Sequence, residues 1–244
     1  CGEEEFPIMN VNSRMGCFSE GGVVSIGNDP VSVGRRAVFR WTSDTDELNE
    51  CNAYSISDEI AELLSPTFFK NAVVYADEGR GELWFCDPTG DGVAWIYNVK
   101  RSAWSRFTNI KAEAFFDANG EVGFISEGRI CVFKSECYAD YENPDDTVGT
   151  PISASLVSGF IDFNSPKSKR LRSMILFADL EGGRINARIF SDRDEQIDAS
   201  VVSSTEHSPY VIRLHSHRMG SLSFRLSADG EERQTIHRLK IEAR

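Results

Sequence analysis

Residues 82–108, ELWFCDPTGDGVAWIYNVKRSAWSRFT, constrain the fold more than any other stretch of the chain. Three short aromatic runs, ELWFCD, VAWIYNV and SAWSRFT, are separated by the turn-forming DPTGDG and by a charged KR link. The chain must therefore reverse twice, and strands this short joined by tight reversals make an antiparallel meander. The preceding run AVVYAD, closed by EGRG, supplies a fourth strand. Four antiparallel strands in succession are the unit of a β-propeller blade.

Two further meanders flank this one. Before it, VVSIGN, PVSVG and RAVFRWT are punctuated by Gly22, Gly27 and Gly34; after it, AEAFFDANG, EVGFISEG and RICVFK carry DANG and SEG turns. Around these, residues 3–12 read as an acidic lead into a strand, and the polar residues 43–52 as an exposed loop. In SISDEIAELLSP, Ser57 is placed to cap a helix whose Ile60, Leu63 and Leu64 share one face, with Pro66 ending it. About three blades are thus expected, whereas closed propellers have about four or more, so this half is expected to be incomplete by itself.

From residue 152 onward the strands lengthen: SASLVSGFIDF, KRLRSMILFADL, GRINARIFSD, PYVIRLH, SLSFRLSAD and TIHRLKIEA. Ile185, Ala187 and Ile189 alternate with polar neighbours, as do Leu222, Phe224 and Leu226, which is the pattern of a half-buried strand. Six or more such strands suggest a β-sandwich. The acidic, turn-rich ADYENPDDTVGTP separates the halves, and the charge breaks there too. Residues 1–150 carry 12 Lys and Arg against 26 Asp and Glu, net −14, while residues 151–244 carry 14 against 12, net +2. The expected fold is all-β, with partial propeller-like antiparallel blades followed by a sandwich. The expected domains are a blade domain at 1–140, a linker at 141–151 and a β-sandwich at 152–244.

Chemistry-bearing patterns are sparse. The six cysteines, at 1, 17, 51, 86, 131 and 137, lack CxxC or zinc spacing, so free thiols are expected. His215 and His217 would point to one side of a strand, but no third ligand is near in sequence. Asp87-x-x-x-Asp91-Gly92 and Asp117-x-Asn119-Gly120-Glu121 lack the oxygen ligands of a calcium loop and read as hairpin turns. No nucleophile elbow, P-loop or H-E-x-x-H is present. No catalytic residue, metal or cofactor is therefore expected. The candidate interaction residues are the aromatic stripe Trp84, Trp95, Tyr97 and Trp104, and the basic patch Lys167, Lys169, Arg170 and Arg172. The stripe suits either blade core or sugar stacking. The basic patch begins a strand and lacks interleaved aromatics, so it suits a solvated strand entry or a contact with an acidic neighbouring subunit better than nucleic acid. A net charge of −14 in residues 1–150 also repels phosphate backbones. No run approaches the length of a membrane-spanning helix.

Several phrases resemble those of propeller-like structural proteins of tailed phages and prophages. One is W-x-Y-x-x-(x)-R/K-x-x-W-x-x-F, here Trp95, Tyr97, Arg101, Trp104 and Phe107. A second runs from Gly16 and Cys17 through SIGN to VSVGRRAVF, and a third is IDFNSPKSKRLR at 161–172, which in that family introduces a C-terminal sandwich. The resemblance covers nearly the whole chain. It implies a non-enzymatic virion tail or head–tail neck component, made in the bacterial cytoplasm. Its implied partners are other copies of itself and other virion proteins, with no specific nucleic acid and no membrane span. A head-to-tail ring, residues 1–150 of one copy against 151–244 of the next, would cover the open blades. A second reading is a cell-surface glycan-binding protein using exposed aromatics, a lipoprotein if Cys1 is acylated.

Overall fold

The computed structural model describes residues 15–42, 53–134, 137–143, 145–163, 168–192, 196–203, 208–214, 218–230 and 234–243. The expectations placed on 3–12, 43–52, Lys167, His215 and His217 lie outside the described residues. The chain is all-β, built from several antiparallel sheets, and divides into two compact units, Cys1–Ser135 and Glu136–Arg244.

The first unit holds three sheets. The first orders β1 (Val23–Ile26), β2 (Asp29–Val33), β3 (Val38–Trp41) and β4 (Ala53–Ser55) as a meander. The second is the meander of β5 (Val73–Asp77), β6 (Glu82–Cys86), β7 (Val93–Asn98) and β8 (Ala103–Thr108). The third contains β9 (Ala114–Asp117), β10 (Val122–Ser126) and β11 (Arg129–Val132). Strand β1 lies beside β5 and β5 beside β9, so the sheets converge on their first strands as propeller blades do.

Local chemistry explains the reversals. At the end of β5, Asp77 Oδ1 accepts from Arg80 N at 3.0 Å. After β6, Asp87 Oδ1 accepts from Thr89 N at 2.9 Å. After β7, Asn98 Oδ1 accepts from Arg101 N at 3.0 Å, and after β9, Asp117 Oδ1 accepts from Gly120 N at 2.6 Å. An Asp or Asn at each strand end thus captures a backbone amide two or three residues on and turns the chain.

The middle sheet is buried on both faces, which is why ELWFC and VAWIY are nearly continuous apolar runs. Residues opposite one another across antiparallel strands share a face. Register pairs Leu83 with Tyr97 and Phe85 with Trp95, and these pack with Val31, Val33 and Val38 of the first sheet. On the other face, Trp84 opposite Ile96 and Cys86 opposite Ala94 pack with Val122 and Phe124 of the third. An Arg80–Glu121 ion pair clamps the β5–β6 turn to the β9–β10 turn.

The third sheet's far face has a different character. Register places Phe116, Ile125, Ile130 and Val132 there, opposite in direction to the core-facing Phe115, Phe124 and Cys131. The Phe116 ring lies over Gly123, where an added Cβ would fall 2.4 Å from the ring, so only glycine fits beneath it. Ile130 is 75% and Val132 40% exposed.

The expected helix is split in two. Residues Asp58–Leu63 form a 3-10 helix, and α1 spans Pro66–Asn71. Ser57 makes no side-chain cap; its Oγ instead accepts from Val38 N at 2.9 Å and ties the segment to β3. Ser65 is the cap, accepting from Phe68 N at 3.1 Å, and Pro66 opens α1 at the position where its missing N–H costs nothing. Ile60 and Leu64 are buried as expected. Leu63 is not, at 65% exposed, because the 3-10 helix ends there and the extended Leu64 turns inward instead.

The second unit is a β-sandwich. One sheet orders β12 (Ala139–Asp140), β13 (Thr150–Val157), β19 (Leu222–Gly230), β15 (Arg184–Ser191) and β16 (Gln196–Ser203). In the other, β14 (Lys169–Asp179) pairs with β17 (Ser208–Arg213), β18 (Arg218–Met219) and β20 (Thr235–Ala243). Leu171, Met174 and Leu176 of β14 meet Ile185, Ala187 and Ile189 of β15 and Leu222, Phe224 and Leu226 of β19 in one core. Residues 141–143 and 145–149, expected within a linker, lie between the paired strands of a hairpin in this unit, because Ala139 and Asp140 pair with Pro151 and Thr150.

Candidate functional site

The aromatic stripe does not form one platform. Trp84 lies on the face toward the third sheet, with Phe133 at 4.8 Å and Phe107 edge-on at 5.6 Å. Trp95, Tyr97 and Trp104 lie on the opposite face. Trp104 packs at a tilt against Tyr97 at 5.0 Å and Phe85 at 5.4 Å, and its Nε1 donates to Ile56 O at 2.7 Å. Trp84, Trp95 and Tyr97 are buried and Trp104 is half-buried, so the four do not form an open platform. These four side chains build the blade core.

The basic patch is a strand entry. Lys169 is half-buried, with Nζ 4.9 Å from the centre of the Phe163 ring and donating to Phe163 O at 3.0 Å. Arg170 and Arg172 are exposed on β14. Register sets Arg170 directly opposite Arg218 of β18, and like charges so placed repel unless an anionic surface lies over them.

Two polar sites have structural explanations. Cys86 is wholly buried; its Sγ donates to Ile110 O at 3.4 Å and accepts from Ala112 N at 3.3 Å. Burial pushes this thiol up from an ordinary 9.0 to about 11, which makes it an inert core side chain. Around the β5–β6 turn, burial and the carboxylates of Asp117 and Asp77 push the Tyr75 phenol up, and Glu121 raises Arg80 further. That cluster joins the second and third blades. Cys17, Cys86, Cys131 and Cys137 form no disulfide. Among the described residues, no three His, Cys, Asp or Glu side chains gather where a metal could bind. No described helix is long and apolar enough to cross a membrane.

The sequence reading missed a cleft of about 210 Å³ between the helical segment and the β6–β7 turn. Its lining comes from Leu63, Ser65 and Phe68 of the helical segment, Asp87, Gly90 and Asp91 of the turn, and Val93, Trp95 and Arg106 of the strands. Asp87 is only 5% exposed. Its Oδ1 accepts from Thr89 N and, at 2.7 Å, from Thr89 Oγ1, whereas its buried Oδ2 has no hydrogen-bond partner. The Arg106 guanidinium sits over Trp95, 5.9 Å from the ring centre. The signal in the sequence was DPTGD, but a turn accounts for that string equally well.

No protein-family model matches the sequence, and no curated protein is similar to it. Among solved structures, an exo-β-1,3-galactanase from Phanerochaete chrysosporium is similar at 8% identity and a TM-score of 0.24, over 88% of this chain and 65% of that one. Infectious bursal disease virus is similar at 10% identity and a TM-score of 0.19, over 63% of this chain and 42% of the viral one. Likenesses at these TM-scores carry no argument about fold or role.

Proposed function

We propose that this chain is a non-enzymatic structural protein of a tailed-phage or prophage virion. In this reading it is made in the bacterial cytoplasm and acts by subunit assembly as a tail or head–tail neck component. The observation that carries the proposal is the far face of the third sheet, where Ile130 and Val132 are exposed among the described residues. Phe116, Ile125, Ile130 and Val132 repeat the apolar character of the covered faces between blades, yet Ile130 is 75% exposed. A sheet face of this kind is a liability for a monomer and an asset for an assembling subunit.

Charge gives the assembly a direction. Residues 1–150 carry −14 and residues 151–244 carry +2, with Lys169, Arg170, Arg172 and Arg218 close together along β14 and β18. The acidic first unit of one copy meeting the second unit of the next is a heterologous contact, and such contacts close into rings when their rotation permits. The partners are other copies and other tail or neck proteins. Nucleic acid is not among them, because the acidic half repels phosphate.

Light scattering after size exclusion tests this at high protein concentration, in low and high salt, with and without the tail proteins encoded beside it. A ring of defined copy number at low salt, weakened by high salt, is expected. A compact monomer throughout, with no larger species when the tail proteins are added, refutes the proposal.

A further inference from the structure

The second unit holds an apolar strand face that its described residues leave uncovered. Strand β13 alternates Ile152, Ala154 and Leu156 with Ser153 and Ser155, the pattern of a strand buried on one face. Register sets Ile152, Ala154 and Leu156 opposite Gly230, Ala228 and Leu226 of β19. They therefore point the same way as Leu226, which is only 2% exposed in the sandwich core. Leu156 is nevertheless 52% and Ile152 44% exposed, and every residue of β13 is open to solvent.

The connections explain the gap. Residues 180–183 join β14 to β15, residues 204–207 join β16 to β17, and residues 231–234 join β19 to β20. Each short link crosses from one sheet to the other, which sets β14 over β15, β17 over β16 and β20 over β19, an order that agrees with the pairing in both sheets. The facing sheet therefore ends at β20, one strand short of β13. Strand β20 pairs with β14 alone among the described residues, so its outer edge is open. A strand added to that edge would lie over Ile152 and Leu156. An unpaired edge and an uncovered apolar face thus meet in one slot the size of a strand.

We propose that this slot takes one extended strand donated by residues 3–12 of a neighbouring copy. Those residues, EEEFPIMNVN, lie outside the described residues, and three properties of their sequence fit the slot. Phe6 and Ile8 are two apart, the spacing that side chains meeting Ile152 and Leu156 require. Pro7 between them suits only an edge strand, and the slot is a sheet edge. Glu3, Glu4 and Glu5 answer the charge of β20. Arg238 and Lys240 lie on its outward face, opposite Phe177 and Ile175, while Glu242 is held by Ser173 and Lys240 at 2.9 Å each. The same two cations oppose pairing of β20 with its counterpart in another copy, since in a two-fold match centred on Leu239 Arg238 would face Lys240. This inference rests on the assembly reading and names a contact within it, the acidic half of one copy on the second unit of the next.

Fluorescence anisotropy tests it, with a fluorescein-labelled peptide of residues 3–12 titrated with the full chain at concentrations below assembly. Saturable binding is expected, and amide exchange should slow along β20, the strand that gains a hydrogen-bonded neighbour. A peptide carrying Glu3→Lys, Glu4→Lys and Glu5→Lys should bind at least about tenfold more weakly. The double variant Ile152→Ser, Leu156→Ser changes two exposed side chains and should weaken the parent peptide by at least about tenfold. Arg238→Glu with Lys240→Glu serves if that variant does not fold. Ile130→Lys with Val132→Lys, on the third sheet, should bind the peptide as the parent does. The proposal is overturned if the peptide does not saturate, if the lysine peptide binds equally well, if a folded slot variant binds like the parent, or if the third-sheet variant loses the peptide. A peptide that fails to bind while the chain still forms its ring refutes this inference alone. A peptide that binds a chain that never assembles refutes the assembly reading, and with it the neighbouring copy as donor.

Discussion

Replacing Phe85 with alanine should strongly destabilise the first unit while sparing the second. Phe85 is wholly buried on the face of the middle sheet that meets the first, opposite Trp95 and 5.4 Å from the Trp104 ring. The neighbouring strands are hydrogen-bonded on both sides, so the site cannot collapse freely around the missing ring. Truncations of this kind cost about 3–5 kcal/mol, a large share of the roughly 5–15 kcal/mol that holds a domain together. With a urea slope of about 1.5–2 kcal/mol per molar, the midpoint should fall by about 2–3 M. Tryptophan fluorescence isolates the effect, because all four tryptophans, Trp41, Trp84, Trp95 and Trp104, lie in the first unit. A control, Phe160→Ala on an exposed residue of the second unit, should leave that signal unchanged. A midpoint shift under about 0.5 M at unchanged slope would show that the middle sheet is not the core of this unit.

Other consequences follow from single contacts. Cys86 holds its proton to about pH 11 when folded, whereas the unfolded chain releases it near 9, so the folded state binds more protons between these values. Stability should therefore fall as pH rises from 9 to 11, by at most about 2–3 kcal/mol, and Cys86→Ala should flatten that part of the urea-midpoint profile. Ser65→Ala removes the only side-chain cap on α1 and should cost about 1 kcal/mol in the same assay, whereas full stability would mean the cap bond is dispensable. Limited proteolysis should cut first within residues 142–149, the exposed hairpin loop at the start of the second unit, and resistance there with early cuts inside β5–β8 would contradict the assignment of units.

The strands were legible because their signals are local. DPTGDG, DEGRG and DANG each place a side-chain acceptor where a reversal needs one, and the aromatic runs between them have nowhere else to go. The sandwich core was legible for the same reason, since Ile185, Ala187 and Ile189 alternate without interruption and are all buried. β16 was missed because QIDASVVS shows no clean apolar alternation in sequence, although Val202 and Ile197 join the core. The helix was misread because Ser57 and Ser65 are equally good caps by composition, and only the neighbouring Val38 amide decides which one is taken away from that task. The stripe Trp84, Trp95, Tyr97 and Trp104 could not be divided between faces without the register. The Asp87 cleft was invisible because its walls come from three places in the chain, the helical segment, the β6–β7 turn and β8.

The central claim is that the far face of the third sheet joins subunits. Sedimentation velocity on the parent and on an Ile130→Lys, Val132→Lys double variant measures it most directly. Both side chains are exposed, so the variant should keep the parent's urea midpoint. The parent should sediment as a larger defined species at high concentration and low salt, and the double variant as a monomer. A double variant that assembles as the parent does, or a parent that stays monomeric at every concentration and salt, would contradict the claim.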